Sequence, residues 1–591
     1  MKRKIALILV LMITLTSMVS CKINLGQIIH SFADDTPGYY TYTSFTDEEK
    51  ALFEEHIGYV IPFVPTDSYK VTSIYDDGDY SEGIRYYSLY NTAEDYNEYL
   101  LLLKDFTLIR TDIDEYGDTW YYYSKDNIVV YTAYYQSMSY NIIDVFVYLD
   151  EIPLSDSGVL TNDGAGLPKG SDGVYRIDFS KAEHAKNASD LYSYIDSCPT
   201  VGTPSVLVIP VQFTDATAAS RGYSIDKIKK AMSGKSGETD YYSLEEYYYI
   251  SSYGKLDLDI TVLDFWFTPK QVSSYYENLT MDIPGGEQEI GEQVILDEAL
   301  QYLDSKMDLT KFDSDGNGYI DSVIMINTLP VDEDEYFNWA FRFWNMYTDE
   351  DDSLNSYDDV SAHDYIWMSY GFFEEGTDRF GTPIYNDSSA TNTETVIHEF
   401  GHILGSEDYY DTTQRDAFGP LYGHDIMDSE AGDHNPFTKF HFGWIGSSHL
   451  VTTNSTLTLN LEDFAKSGET LIIADNWDDS LGAYQEYYVL MYYKSDGLNS
   501  GYGGYFDKNG VVIYHVNASL YYETYGDETV YEFNNSNDSD SDDELIKLMG
   551  RSTSIISREY VYTAGMSFKL AGYTLNIRMI DDDNATITFS K

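Results

Sequence analysis

The sequence is poor in cysteine, in basic residues and in long apolar runs. Only two cysteines occur in 591 residues. Cys21 closes an export-type leader, so Cys198 stands alone and an internal disulfide framework is excluded. An exported chain of this kind takes its stability from packing and from any metals it holds. Cys198 reads as a small buried core residue, with a thiolate capping a latent zinc as the alternative. Bases are scarce too: 36 Lys and Arg stand against 99 Asp and Glu, a formal net charge of −63. Such a surface repels phosphate backbones and anionic lipid headgroups, which argues against nucleic acid as a partner, and it favours divalent cations. Beyond the leader no stretch is apolar enough to span a bilayer. No repeat at a solenoid period is visible.

What is abundant is aromatic. The chain carries 59 Tyr and 27 Phe within a hydrophobic fraction of 43%. That supplies real cores and rules out a disordered chain. The length suggests three or four units. Lys2, Arg3 and Lys4 precede a short apolar run, Ile5 to Ile13. Met18-Val19-Ser20-Cys21 follows and resembles the lipobox of bacterial lipoproteins, with Met18 where leucine is usual. Residues 1–21 are therefore expected to be a lipoprotein-type signal peptide and Cys21 the lipidated N-terminus. A plain secretory signal or a signal anchor is the alternative.

Residues 22–40 read as a tether. Residues 41–150 read as a small α+β module of unknown role. Thr46 to Glu49 forms a capping box, Gly58 closes that helix, and Asn91-Thr92-Ala93-Glu94 opens a second one. Aromatic and β-branched runs ending in "NIIDVFVYLD" supply its strands. Residues 151–200, rich in Gly, Ser and Asp, read as a linker. A new unit starts with the apolar strand Val206 to Val211 and is carried from 201 to 450. Beyond it, "TLTLNL", "TLIIAD", "EYYVLMYY", "GVVIYHV", "TLNIRMI" and "ATITFS" predict a β-sandwich-like domain over 451–591. Asn534 to Glu544 is an acidic low-complexity loop, expected to be solvated, with a weak claim to calcium.

The chemistry sits in "TNTETVIHEFGHILGSEDYYD", Thr391 to Asp411. Thr391 and Glu394 read as a capping box that starts a helix near Asn392, and Gly405 ends it. On that helix His398 and His402 lie four residues apart, on one face, so both imidazoles can reach one ion. Glu399 is placed to take a proton from water without being a ligand. A catalytic zinc needs a third protein ligand and an open position. Asp408, three residues past Gly405, fits the extended metzincin spacing with Asp in place of the third His, and Glu407 competes with it. Met427 in "YGHDIMDSEAG" stands where a metzincin Met-turn would lie. His424, His434 and His441 read as surface or core histidines, with a substrate contact as the alternative.

A second metal signal is "FDSDGNGYID". Asp313, Asp315, Asn317 and Asp321 place oxygens around a turn permitted by Gly316 and Gly318, as a calcium loop does. Ile324 stands where an EF-hand has its bidentate Glu, so a strand from Val323 to Asn327 is expected in place of the exit helix. A plain Asx-rich turn is the alternative.

Taken in order, "PSVLVIPVQFTD", "YYSLEEYYYISSYGKLDLDITV", "FDSDGNGYIDSVIMI", "TETVIHEFGHILGSEDYYD", "DIMDSEAGDHNPFTKFHFGWIG" and "EYYVLMYY…GVVIYHV" resemble the immune inhibitor A family of secreted bacterial zinc metallopeptidases over roughly residues 200–520. The resemblance implies that His398, His402 and Asp408 bind zinc, that Glu399 is the general base and that the Asp-rich loop binds structural calcium. Residues 41–150 do not match that family's propeptide.

The fold expected is α+β: a metzincin-like zinc peptidase domain, a twisted sheet plus an active-site helix, between the N-terminal module and the C-terminal β-rich domain. The function expected is an extracellular zinc-dependent endopeptidase acting on proteins or peptides. It would be held on the outer face of a bacterial membrane by lipid on Cys21, or else secreted. The alternative is a surface-anchored binding lipoprotein with an inactive or latent peptidase domain; a third reading is a zymogen-like enzyme whose residues 41–150 block the cleft.

Overall fold

The structure, a computed structural model, describes residues 42–591 apart from 75–82, 150–171, 183–197, 346–353, 385–390, 411–419 and shorter breaks. Cys21, the signal segment and the tether lie outside the described residues. The chain is mixed α+β and divides near residue 151 into two compact units.

The first unit follows the sequence closely. Its helices, Asp47–His56 and Ala93–Leu102, each start at a capping box, Thr46 with Glu49 and Thr92 with Asp95. Six antiparallel strands form one sheet in the order Ser68–Ile74, Gly83–Leu89, Tyr140–Leu149, Ile128–Ser137, Thr119–Lys125 and Thr107–Ile113. Phe53, Tyr96, Tyr99 and Leu103 from the helical side pack on Ile84, Tyr86, Val130, Ile143 and Val145. On the sheet, buried Asp144 accepts from Arg85 Nη2 at 2.7 Å and from the Tyr135 hydroxyl at 2.7 Å.

The second unit is built around a five-stranded sheet in the order Phe341–Trp344, Asp364–Ser369, Ser322–Asn327, Ser205–Val211 and Asp259–Val262. The last four strands run parallel, and the edge strand Phe341–Trp344 runs antiparallel to its neighbour. Helices cover both faces, which is why "SVLVIPV" and "SVIMIN" are buried along their whole length and apolar between their ends. Leu207, Ile209, Val323 and Met325 meet Ile295, Leu296 and Leu300 of helix Gly291–Asp304. Val206, Val208, Ile324 and Ile326 share the opposite core with Tyr247, Tyr248, Val396, Ile397 and Phe400. That face carries helix Glu394–Ile403, the histidine helix, which packs over Asp364–Ser369 and the edge strand.

Every C-terminal run read as a strand is one. Together with strands not read from the sequence, they form a six-stranded sheet, from Ile546–Leu548 through Gly510–Asn517, Glu486–Tyr493, Thr470–Ile473 and Ser447–Val451 to Val174–Asp178, and a four-stranded one that also includes Ser567–Leu570. The four-stranded sheet covers one face of the six-stranded sheet, through Leu471, Leu490 and Ile513 against Leu575, Ile577 and Ile587.

Two expected boundaries differ. The division at 450 does not separate two cores, because the other face of the six-stranded sheet enters the core of the histidine helix through Val489, Met491, Val512 and Tyr514. Alternate residues of "EYYVLMYY" thus serve two cores, with Tyr488, Leu490 and Tyr492 facing the four-stranded sheet. The expected linker 151–200 also contains the strand Val174–Asp178, which pairs antiparallel with Ser447–Val451. Five residues amid Gly, Ser and Asp are too short to carry a period; a partner some 270 residues downstream defines the strand.

Candidate metal centre

The histidine helix begins at Glu394, with Thr393 as N-cap and no side-chain cap bond from Thr393. The expected capping box between Thr391 and Glu394 does not form. Thr391 is instead held in a β-bridge with Thr239, and its carbonyl accepts from Asp240 N at 3.1 Å. Asn392 Oδ1 takes the Glu394 amide at 3.0 Å. Tertiary pairing has overridden the local signal, shifting the start by two residues. The C-terminus behaves as read. Gly405, at φ 95°, donates to His402 O at 3.1 Å, and Ser406 donates to Gly401 O at 3.0 Å. These are the two bonds of a Schellman turn, which needs the left-handed residue glycine supplies. The turn sends the chain back along the histidine face.

Asp408 lands there. His398 Nε2 lies 3.0 Å and His402 Nε2 3.2 Å from Asp408 Oδ1. The other ring nitrogens point to backbone carbonyls: His398 Nδ1 to Ile426 O at 2.7 Å, His402 Nδ1 to Ser406 O at 2.8 Å. A carbonyl only accepts, so each Nδ1 carries the hydrogen and each Nε2 presents a lone pair. This arrangement is the usual outer hydrogen bond of a metal-ligating histidine, fixing tautomer and ring together. Ligand atoms of His398, His402 and Asp408 lie within 4.8 Å of one another and could hold a metal ion. Glu407 is not in that group. Two imidazoles and one carboxylate make a mixed nitrogen and oxygen donor set, unlike the oxygen sets that magnesium and calcium take. Burial works against ionised Asp408, but His402 and His398, when their Nε2 atoms are protonated, outweigh it and hold the carboxyl well below the usual range; a cation bound to Nε2 lone pairs would take over that role.

Glu399, adjacent in sequence, is only 7% exposed. Burial raises its pKa, against the lowering influence of His398, His402 and the nearby backbone N–H of Arg342 on the edge strand. A buried carboxylate with a raised pKa beside a metal-binding group is suited to accept and return a proton. The sequence did not reveal Arg342, because a backbone donor on a distant strand has no sequence signature.

Met427 is fully buried beneath the helix. A Cβ at Gly401 would lie 2.4 Å from Met427 Sδ, so glycine at this interior helical position lets the methionine seat between the two histidine turns. Asp425 shapes the turn around Met427. Its Oδ1 accepts from Met427 N at 2.8 Å and its Oδ2 from Asn435 N at 2.7 Å. His424, His434 and His441 are all buried, and none belongs to the metal group. His424 lies against Phe506 and Tyr493, and burial lowers its pKa to about 3, so it is neutral. Cys198 is buried, outside both metal groups, and burial raises its thiol pKa.

The Asp-rich loop gathers Asp313, Asp315 and Asp321 into a second group that could hold a metal ion. Asn317, the fourth expected ligand, lies in the same loop, where its Oδ1 accepts from Tyr319 N at 2.8 Å and its own N–H donates to Asp313 and Asp315. Asp313 takes the amides of Gly316 and Gly318 at 2.8 and 2.9 Å. Asp321 Oδ2 takes Ser205 N at 2.6 Å, tying the loop to the start of the central strand. The strand Ser322–Asn327 follows, as the missing exit helix predicted. In the acidic segment 534–544, residues 538–543 lie outside the described residues, and Asn537 is buried rather than solvated.

No protein-family model matches the chain, and a search of curated proteins finds no significant match.

Proposed function

We propose that this protein is a metzincin-like zinc endopeptidase related to the immune inhibitor A family. It would be exported and anchored through lipid on Cys21, or secreted. The observation that carries the reading is the convergence of His398 Nε2, His402 Nε2 and Asp408 Oδ1, with Glu399 buried alongside. His398, His402 and Asp408 would hold the ion. A zinc ion bound there supplies a Lewis acid for a peptide carbonyl and lowers the pKa of water. Glu399 accepts the proton of the attacking water and returns it to the leaving amine. The carbonyls of Ile426 and Ser406 keep both imidazoles in the ligating tautomer throughout.

The edge strand supports an endopeptidase in particular. Phe341–Trp344 is the outermost strand of its sheet and packs against the helix that carries Glu399, with the Arg342 amide near its carboxyl. An extended polypeptide can add to such an edge by main-chain hydrogen bonds, which suits cleavage within a chain. Structural calcium at Asp313, Asp315 and Asp321 completes the proposal.

The test is cleavage of casein by wild type beside Glu399→Ala, in zinc and calcium. The variant is expected to keep fold and zinc and to lose turnover by roughly 10²-fold or more. Cleavage at the wild-type rate by Glu399→Ala would sink the mechanism.

A further inference from the structure

The third ligand of the proposed centre lies on irregular backbone. Residues 405–409 belong to neither helix nor strand, so Asp408 can stay in place only if neighbouring groups hold that backbone. The helix supplies some of these holds through the Gly405 and Ser406 amides. The others come from further along the chain. Gly405 O accepts from His441 Nε2 at 3.1 Å. Tyr409, next to Asp408, donates its amide to Met427 O at 2.8 Å. Its carbonyl accepts from Asn537 Nδ2 at 3.1 Å.

Asn537 has one workable orientation. Its Nδ2 donates to Tyr409 O and, at 2.8 Å, to Ile546 O, while its Oδ1 accepts from Ile546 N at 3.1 Å. The flipped amide would set an oxygen against two carbonyls. The side chain therefore joins the outer strand of the six-stranded sheet, Ile546–Leu548, to the residue after Asp408, at 2% exposure. His441 is fixed likewise. A carbonyl partner at Nε2 requires the hydrogen there, so Nδ1 accepts from the Tyr484 hydroxyl at 3.1 Å. Tyr484 lies just before the strand Glu486–Tyr493 of the same sheet.

We infer that Asn537 and His441 are positioning residues for the metal centre, and that the C-terminal sheet is part of that centre rather than a separate appended domain. The inference rests on the metal reading above and adds to it the two side chains that set the Asp408 loop. Neither touches the ligating atoms; both act through the loop backbone. Outer partners of this kind change metal affinity by about 10–100-fold when removed.

The test titrates the metal-free whole chain with cobalt, read by visible absorption, and with zinc against a chelator, for wild type, Asn537→Ala and Asn535→Ala. Asn535 is the internal control: its Nδ2 binds Asn517 O at 2.8 Å, tying the same segment to the sheet without reaching the Asp408 loop. Asn537→Ala is expected to weaken zinc about 10-fold or more and to alter the cobalt spectrum, and Asn535→Ala to leave both unchanged. Wild-type affinity and spectrum in Asn537→Ala, or an equal loss in Asn535→Ala, overturns the role of Asn537. His441→Phe can keep a ring stacked on Phe437 while removing the donor to Gly405 O and the acceptor for the Tyr484 hydroxyl, the link from sheet to loop. It is expected to weaken zinc in the same direction, which also covers loss of folding by Asn537→Ala, and wild-type affinity there overturns the role of His441. Failure of the wild type to bind zinc overturns the metal reading and this inference together, an outcome distinct from all the others.

Discussion

Single side chains in this protein often perform tasks that their residue type does not announce. Gly401 is the clearest case. In a helix interior glycine costs about 1 kcal/mol relative to alanine, yet a Cβ there would collide with Met427 Sδ. Glu292 is another. It is fully buried, and its Oε1 accepts from the Tyr365 hydroxyl at 2.9 Å. Burial raises its pKa to about 7. The folded chain therefore holds this proton more tightly than the unfolded chain. The associated stability is present below the unfolded value near 4.5 and is lost as pH rises through 7, by about 3 kcal/mol in all. Glu292→Gln keeps the acceptor for Tyr365 and removes the ionisation. Its melting temperature is expected to exceed that of wild type at pH 8 and to match it near pH 4. An equal difference at both pH values would show that ionisation is not the cause.

Elements were legible where local pattern and tertiary role agree. The histidine helix has periodic apolar positions and a glycine stop, and the strands of the C-terminal sheets are β-branched and aromatic. Legibility failed where a distant partner defines the element. Thr391 offered a good cap and was taken by Thr239. Val174–Asp178 is a strand only because Ser447–Val451 lies beside it. The Asp-rich loop lies between these cases: its turn chemistry was readable, but the tie from Asp321 to Ser205 N on the central strand was not. Two of its acids have separable duties. Asp321 is fully buried and holds Ser205 N and Ser314 N, whereas Asp315 is exposed. Calcium is expected to raise the melting temperature of wild type, by about 2.7 kcal/mol of stabilisation at a hundred times its Kd. Asp315→Ala is expected to remove that response with little loss in calcium-free buffer. Asp321→Ala should destabilise the chain with or without calcium. A full calcium response in Asp315→Ala would exclude this group as the site.

At the scale of the whole chain, the candidate site was more legible than the architecture around it. His398, Glu399, His402 and Asp408 were readable because helical spacing and one glycine turn bring them together within eleven residues. Met427 was readable by its distance from the helix. The carbonyl of Ile426, the amide of Arg342 and the side chains of His441 and Asn537 were not, since they reach the centre through the fold. The break read at 450 follows a real change, from mixed elements to strands, yet one hydrophobic core crosses it. Composition marks where secondary structure changes, and it does not mark which face of a sheet is already covered. The large acid excess favours divalent cations over anionic partners.

The most direct measurement is the zinc content of the purified chain after exhaustive dialysis, wild type beside His402→Ala and Glu399→Ala. Wild type and Glu399→Ala are expected to retain about one zinc per chain, and His402→Ala, with one of three ligands gone, to lose it. Zinc retained at the wild-type level by His402→Ala, or absent from wild type, would contradict a metal centre built on His398, His402 and Asp408.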